Sequence, residues 1–271
     1  PDELDKAWAK RHGTSLLESA QSMGAAAKPG TTVVLPGQPG LVVTGIGGVD
    51  VTPEQVRRAA GNAVRAAAKV AGDRTLAVAL SFEAIEPERL RGVAEGALLG
   101  AYGYAKETRQ EAKRPLGSLV VVSPAKDAKA HVDEATVVAT AVCRARDWVN
   151  TPPNALYPET FADAARALAR DARLDVEVLD EKALARGGYG GILGVGGGSS
   201  RPPRLVRIEY NPRGAKTHLA LVGKGITFDT GGLNLKPADG MITMKCDMAG
   251  AAAVIAAVRA IADLKLKVRV T

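Results

Sequence analysis

The chain has 271 residues, 46% of them hydrophobic and only 4% aromatic, so it can bury one or two cores built mainly from Val, Leu, Ile and Ala. Its two cysteines, Cys143 and Cys246, lie far apart, which excludes a disulfide framework or a Cys-ligated zinc site and fits a reducing cytoplasm. The formal charge of +7 arises from 36 basic and 29 acidic residues scattered among one another, the pattern of a solvated surface and not of a nucleic-acid footprint.

From the N-terminus, residues 31–37 (TTVVLPG) and 41–48 (LVVTGIGG) read as strands broken by Pro and Gly. Residues 51–72 carry a helix signature: Thr52 as N-cap, Pro53 at the first helical position, Gln55 at the capping-box spacing and Gly72 to close it. A short strand is expected at 75–80, a second helix at 87–108 and a third clear strand at 117–124. Helices alternating with short apolar runs argue for a layered α/β domain. A long helical pattern then runs from about Asp127 to Asn150 and stops at Thr151-Pro152-Pro153-Asn154, because proline cannot continue a helix.

A second α/β pattern follows. It has a helix at 158–172, a strand at 174–179, a Gly-rich loop at 187–198, strands at 204–210 and 218–223, an Ala-rich buried helix at 248–264 and the start of a strand at 267–271. The expected fold class is α/β: two α/β domains joined by a long helix, with boundaries 1–126, 127–151 and 152–271. The second domain is expected to be cut short, since the chain stops within a strand. No apolar run is read as long enough to span a bilayer, and the start PDELDKAWAK lacks the apolar segment of a signal peptide.

The stretch 222–250 carries four charged residues in the order K-x4-D-x6-K-x10-D: Lys224, Asp229, Lys236 and Asp247. Lys224 follows an apolar strand, where α/β sheets present functional groups. Asp229 sits on a Gly-bounded loop, and Asp247 opens the Ala-rich helix. Two readings are open on spacing alone. One is a pair of buried salt bridges with the glycines making turns; the other is an oxygen-rich metal site in which a nearby cation helps deprotonate a lysine.

GKGITFDTGG (223–232), then LKP, then MKCDMAGAAAV (244–254) resembles the signature of the leucyl aminopeptidase family, the cytosol aminopeptidases. EGALLGAYGY (95–104), RDWVNTPPNALYPETFA (146–162) and GILGVGGGSSRPPRLVRIEY (191–210) resemble further segments of that family. The resemblance covers most of residues 87–264. It implies a binuclear metallo-aminopeptidase holding two divalent ions, Mn2+ or Zn2+, with bicarbonate as a proton shuttle. By that resemblance Asp229 matches the carboxylate bridging both metals, and Lys224 and Asp247 match ligands of the tighter metal. Lys236 matches the catalytic lysine at the scissile carbonyl, Met244 lines the pocket for the first side chain, and Asp247 also faces substrate. The implied substrates are peptides with a free N-terminus and a Leu-like first residue, cleaved in the cytoplasm by a homohexamer.

The family also carries an Asn-Thr-Asp-Ala-Glu-Gly-Arg segment that completes its metal sites, and these 271 residues do not contain it. The expectation is therefore that this chain alone has an incomplete site and negligible activity. Other patterns carry less. GVGGGS (194–199) runs into SSRPPR and reads as a tight loop, not a dinucleotide fingerprint. His12, His131 and His218 stand alone, without H-E-x-x-H, and no G-x-S-x-G elbow is present. The alternative functions are a DNA-binding protein or a non-catalytic interaction module of the same fold. Neither nucleic acid nor a membrane is expected as a partner.

Overall fold

The computed structural model describes residues 2–37, 40–48, 50–71, 76–81, 86–104, 116–172 and 174–271. Two units divide the chain, one ending at Ala139 within the long helix and the other running on from Thr140.

The first unit opens with two helices, α1 (Asp2–His12) and α2 (Leu16–Ser22). The sequence reading passed over both, although Ser15 and Glu18 form a capping box: the Ser15 hydroxyl accepts from the Glu18 N–H at 3.0 Å and Glu18 accepts from the Ser15 N–H at 3.1 Å. Strands β1 (Thr32–Leu35) and β2 (Leu41–Thr44) then pair antiparallel, and Trp8, Ala20 and Leu35 bury together beside them. Helix α3 (Pro53–Ala71) starts as expected: the Thr52 N–H donates to Gln55 Oε1 at 2.8 Å, and Thr52 Oγ1 accepts from the Gln55 N–H at 3.2 Å. Gly72, expected to close this helix, lies outside the described residues.

Strands β3 (Leu76–Ser81) and β4 (Leu116–Val122) pair parallel, with helix α4 (Pro87–Gly100) between them in sequence. A parallel pair needs such a crossover, and a helix supplies it while covering the sheet. Helix α4 ends at Gly100 and not at residue 108; the chain turns at Ala101 and Tyr102–Tyr104 are irregular. Helices α3 and α4 pack backbone to backbone. A Cβ on Gly92 would stand 2.7 Å from the Pro53 carbonyl oxygen, and one on Gly100 would stand 2.6 Å from that of Gly61. The resulting core holds Val56, Ala60, Val64, Leu80, Val93 and Ala97.

Helix α5 (Ala128–Asn150) runs through the boundary between the units. In the second unit, α6 (Pro158–Asp171) places Phe161, Ala165 and Leu168 in the core, with Trp148 edge-on to Phe161 at a centroid distance of 5.4 Å. Strand β5 (Asp175–Leu179) is followed by α7 (Glu181–Arg186), α8 (Gly190–Gly196) and β6 (Leu205–Glu209), which pairs antiparallel with β5. The segment expected to be a loop at 187–198 thus contains a short helix. Its glycines argued against helix, but Tyr189, Leu193 and their neighbours close the turns: the Leu193 N–H bonds to the Tyr189 carbonyl and the Gly197 N–H to that of Leu193.

Strand β7 (His218–Leu219) pairs parallel with β8 (Arg269–Val270), and a bridge between Tyr210 and Val270 joins β6 to β8. Between β7 and β8 the chain forms α9 (Ala238–Ile242), a 3-10 turn at Met244–Cys246 and α10 (Ala249–Asp263). Cys246, expected on the Ala-rich helix, belongs to that turn. Against the sequence reading, Ala238–Asp263 is long and apolar enough by composition to cross a membrane. It is not one continuous helix, however, since it breaks between Thr243 and Met248. Its last part buries Ala252, Ile255, Ala256 and Val258 in the core shared with α6. The sequence had hidden this run because Lys245 and Asp247 interrupt it.

Candidate active site

The loop from Leu221 to Lys236 is irregular, and two anchors fix it. At its start, the Leu221 N–H donates to the Thr271 carbonyl at 2.8 Å, and the Ala251 N–H donates to the Lys224 carbonyl at 2.8 Å. Gly223 allows this approach: a Cβ there would stand 2.6 Å from both the Gly250 oxygen and the Ala251 Cα. Lys224 is thereby held against the first turn of α10, beside the turn that ends at Asp247.

At the other end the loop folds on itself. The Lys236 N–H donates to the Thr230 carbonyl at 2.8 Å, and Gly231 sits at φ +96°, a left-handed conformation that side chains rarely adopt. The Gly231 N–H turns back to Asp229 Oδ1 at 2.8 Å. Asp229 and Lys236, seven residues apart, therefore meet across a closed hairpin-like loop.

The four charged residues form two pairs. Lys236 Nζ lies 2.6 Å from Asp229 Oδ2, and Lys224 Nζ lies 2.9 Å from Asp247 Oδ2. The sequence reading had left buried salt bridges open as the plain alternative. The pairs do form, but they are not buried: Lys224 is 62% and Asp247 30% exposed, and Lys236 is 30% and Asp229 47% exposed. Such accessible pairs contribute little to stability, so folding alone gives little reason for two of them on one loop. The hydrogen bond from Lys236 holds the Asp229 carboxyl below its ordinary range, helped by the Gly231 N–H and by the nearby charge of Lys224. Asp229 is thus a fixed anion with both oxygens engaged by donors.

Met244 begins the 3-10 turn, and the Asp247 N–H donates to its carbonyl at 3.1 Å, so the two residues move as one piece. Met248, the next residue, is fully buried and fastens the turn to the core. Lys245 was not singled out from the sequence, yet its Nζ donates to the Asn150 carbonyl, at the C-terminus of α5, at 3.2 Å. The clue was its position between two motif residues that were singled out.

The three histidines do not join this group. His12 stacks on Trp8, His131 contacts Asp127, and His218 bonds to Thr271. No group of three or more His, Cys, Asp or Glu side chains stands together among the described residues. The carboxylates of Asp229 and Asp247 are accessible, hard oxygen donors that already hold cationic ammonium groups, which is the chemistry a divalent ion would meet. They fit part of a metal site.

Two family models match the chain. The N-terminal domain of the cytosol aminopeptidase family matches residues 2–109, and the catalytic domain of the same family matches residues 143–271. A probable cytosol aminopeptidase of Cutibacterium acnes is 50% identical over 261 residues, covering 95% of this chain and 51% of that protein. One from Streptomyces coelicolor is 45% identical and covers 100% of this chain and 56% of its own length. The chain spans about half the length of the curated relatives it matches. Among solved structures, the bottromycin maturation enzyme BotP in complex with Mn aligns with a TM-score of 0.82 at 38% identity, over 93% of this chain and 54% of that one. A mutant of tomato leucine aminopeptidase aligns with a TM-score of 0.82 at 26% identity, over 97% of this chain and 53% of that one.

Proposed function

Because this chain belongs to the cytosol aminopeptidase family of metallo-aminopeptidases, we propose that it contributes the first part of a two-metal active site that removes N-terminal residues from peptides. The observation that carries the proposal is the pairing of Lys236 with Asp229 on the Leu221–Lys236 loop and of Lys224 on that loop with Asp247 at the turn before α10.

In this reading Asp229, Asp247 and Lys224 would hold the divalent ions, Mn2+ or Zn2+, with Asp229 serving both. Bound there, the ions would supply Lewis acidity, an activated water and a site for the free α-amine of the substrate. The chain's own residues do the rest. The Lys236 ammonium, carried on the loop closed at Thr230, would present positive charge where the scissile carbonyl oxygen gains negative charge once a divalent ion takes its place on Asp229. Lys224 must give up its proton before it can donate a lone pair, which the field of a divalent ion favours. Met244 lines the pocket for the first side chain, and its flexible thioether suits an unbranched or Leu-like residue. Asp247, tied to Met244 through the turn, faces the same substrate end.

The described residues supply too few donors for two ions, so the remaining donors lie outside them. The 271-residue chain alone is therefore expected to turn over substrate poorly. The family's name and the cysteine usage support a cytoplasmic setting. The homohexamer and the bicarbonate shuttle rest on the family resemblance.

The test is hydrolysis of a leucyl chromogenic amide by the enzyme at its relatives' full length, with and without Mn2+, beside an N-acetylated control. Metal-dependent cleavage of the free-amine substrate alone supports the reading. Cleavage of the acetylated substrate removes the role of the free amine.

A further inference from the structure

Lys245 lies between Met244 and Asp247 in the chain. Its ammonium reaches the carbonyl oxygen of Asn150 at 3.2 Å in a half-buried position. Asn150 is the last residue of the 23-residue helix α5. The last four carbonyls of a helix have no intrahelical donor, and the aligned peptide dipoles place negative charge there. A lysine at that point satisfies both, and a hydrogen bond with a charged donor is among the stronger ones available.

The turn that carries Lys245 is a 3-10 turn of three residues, held within by the bonds Cys246 N–H to Thr243 and Asp247 N–H to Met244. Before it, Ile242 and Thr243 are exposed; after it, Met248 is buried in the core. One end of the turn is thus fastened by Met248, Asp247 pairs with Lys224 on the preceding loop, and Lys245 ties the turn to α5.

We propose that Lys245 is a positioning residue that pins the Met244–Asp247 turn to the C-terminus of α5, and so sets Met244 and Asp247 in register with the loop carrying Asp229 and Lys236. This rests on the aminopeptidase reading for the roles of Met244 and Asp247, but the pin itself has a readout that needs no metal. Cys246 sits in the turn, half-buried, and its thiol should be labelled faster when the turn opens. Cys143, on α5, is the internal control, and burial pushes its thiol up from the ordinary value.

The experiment uses the 271-residue chain with two variants. Lys245→Met keeps the apolar stem and removes the ammonium; Lys245→Arg keeps a cationic donor able to reach the same carbonyl. Native-state thiol labelling of Cys246 and Cys143 is measured at one pH, with Mn2+ binding followed separately by electron paramagnetic resonance. The expected result is about tenfold faster labelling of Cys246 in Lys245→Met, the scale of one lost charged hydrogen bond, with Cys143 unchanged and Lys245→Arg as slow as the parent. The proposal is overturned if Cys246 labelling does not change, if both cysteines accelerate together, or if Lys245→Arg labels as fast as Lys245→Met. Weaker Mn2+ binding in Lys245→Met, restored in Lys245→Arg, extends the pin to the metal site. Faster Cys246 labelling with no Mn2+ bound by any of the three proteins supports the pin and fits a metal site that needs further donors.

Discussion

Lys236 Nζ stands 2.6 Å from Asp229 Oδ2, and the other carboxylate oxygen of Asp229 accepts the Gly231 N–H at 2.8 Å. Both donors favour the charged carboxylate, so the folded protein holds Asp229 below the value of a free aspartate. With the folded value depressed, the contribution of this pair is fully present above about pH 4, where an unfolded aspartate is ionised. It is lost as pH falls through the folded value. Carboxyl NMR should show Asp229 titrating below a free aspartate. In Lys236→Met it should move up toward the free value without reaching it, because the Gly231 N–H remains. An unmoved Asp229 would falsify the pairing.

Gly231→Ala should disturb the same loop more than its exposure suggests. Position 231 lies at φ +96°, and a Cβ there would also stand 2.3 Å from the Asn234 carbonyl oxygen and 3.0 Å from the Lys236 backbone nitrogen. An alanine must adopt the left-handed conformation, at a cost of about 1–2 kcal/mol, and also push the loop open. Gly232, also at positive φ but with nothing within 4 Å of a Cβ, separates the two effects. If crowding matters as well as φ, Gly231→Ala should displace the Asp229 titration while Gly232→Ala leaves it in place. Equal titration shifts in the two variants would show that the backbone angle alone governs the loop.

Much of the local structure was legible because it is written in neighbours. Thr52, Pro53 and Gln55 announce α3, and Pro152 and Pro153 announce the end of α5. What the sequence concealed depended on contacts made later in folding. Helix α8 is four-sevenths glycine by its own sequence, GGILGVG, and intrinsic propensity argued for a loop. Helix α4 stops at Gly100 although the apolar pattern continues. At the site, the motif picked out Lys224, Asp229, Lys236 and Asp247, but spacing cannot say which lysine meets which carboxylate. That pairing depends on the closure of Thr230 with Lys236 and on the approach of Gly223 to α10.

The glycines between α3 and α4 give a stability prediction in the first unit. A Cβ on Gly100 would stand 2.6 Å from the Gly61 carbonyl oxygen, and that neighbour is helix backbone that cannot rotate away. Gly100→Ala should therefore force the helices apart and destabilise by about 1–3 kcal/mol, the usual scale of overpacking. Gly194→Ala, inside α8 with nothing within 4 Å of the new Cβ, is the comparison. It should be neutral or should stabilise by about 0.5–1 kcal/mol, since alanine loses less freedom in a helix than glycine. Chemical denaturation of both variants decides the matter, and equal losses would mean that the close approach of α3 and α4 is not what holds them.

The two ammonium groups also predict how the site should answer to a metal ion. Each carboxylate already holds a lysine at hydrogen-bond distance, so a divalent cation at Asp229 must compete with Lys236 for the same oxygen. The pair is exposed, so the repulsion is that of charges largely in water, about 1 kcal/mol per unit charge at 4 Å. Lys236→Met should then bind Mn2+ about fivefold or more tightly than the parent, even though it loses the group proposed to act on the carbonyl. Asp229→Asn should bind Mn2+ far more weakly, because the carboxylate charge is gone while Gly231 can still hold the side chain. Calorimetric titration with Mn2+ measures both. Tighter binding with lower turnover in Lys236→Met would separate the two roles, since a lysine serving only to hold the metal site together would lose both at once.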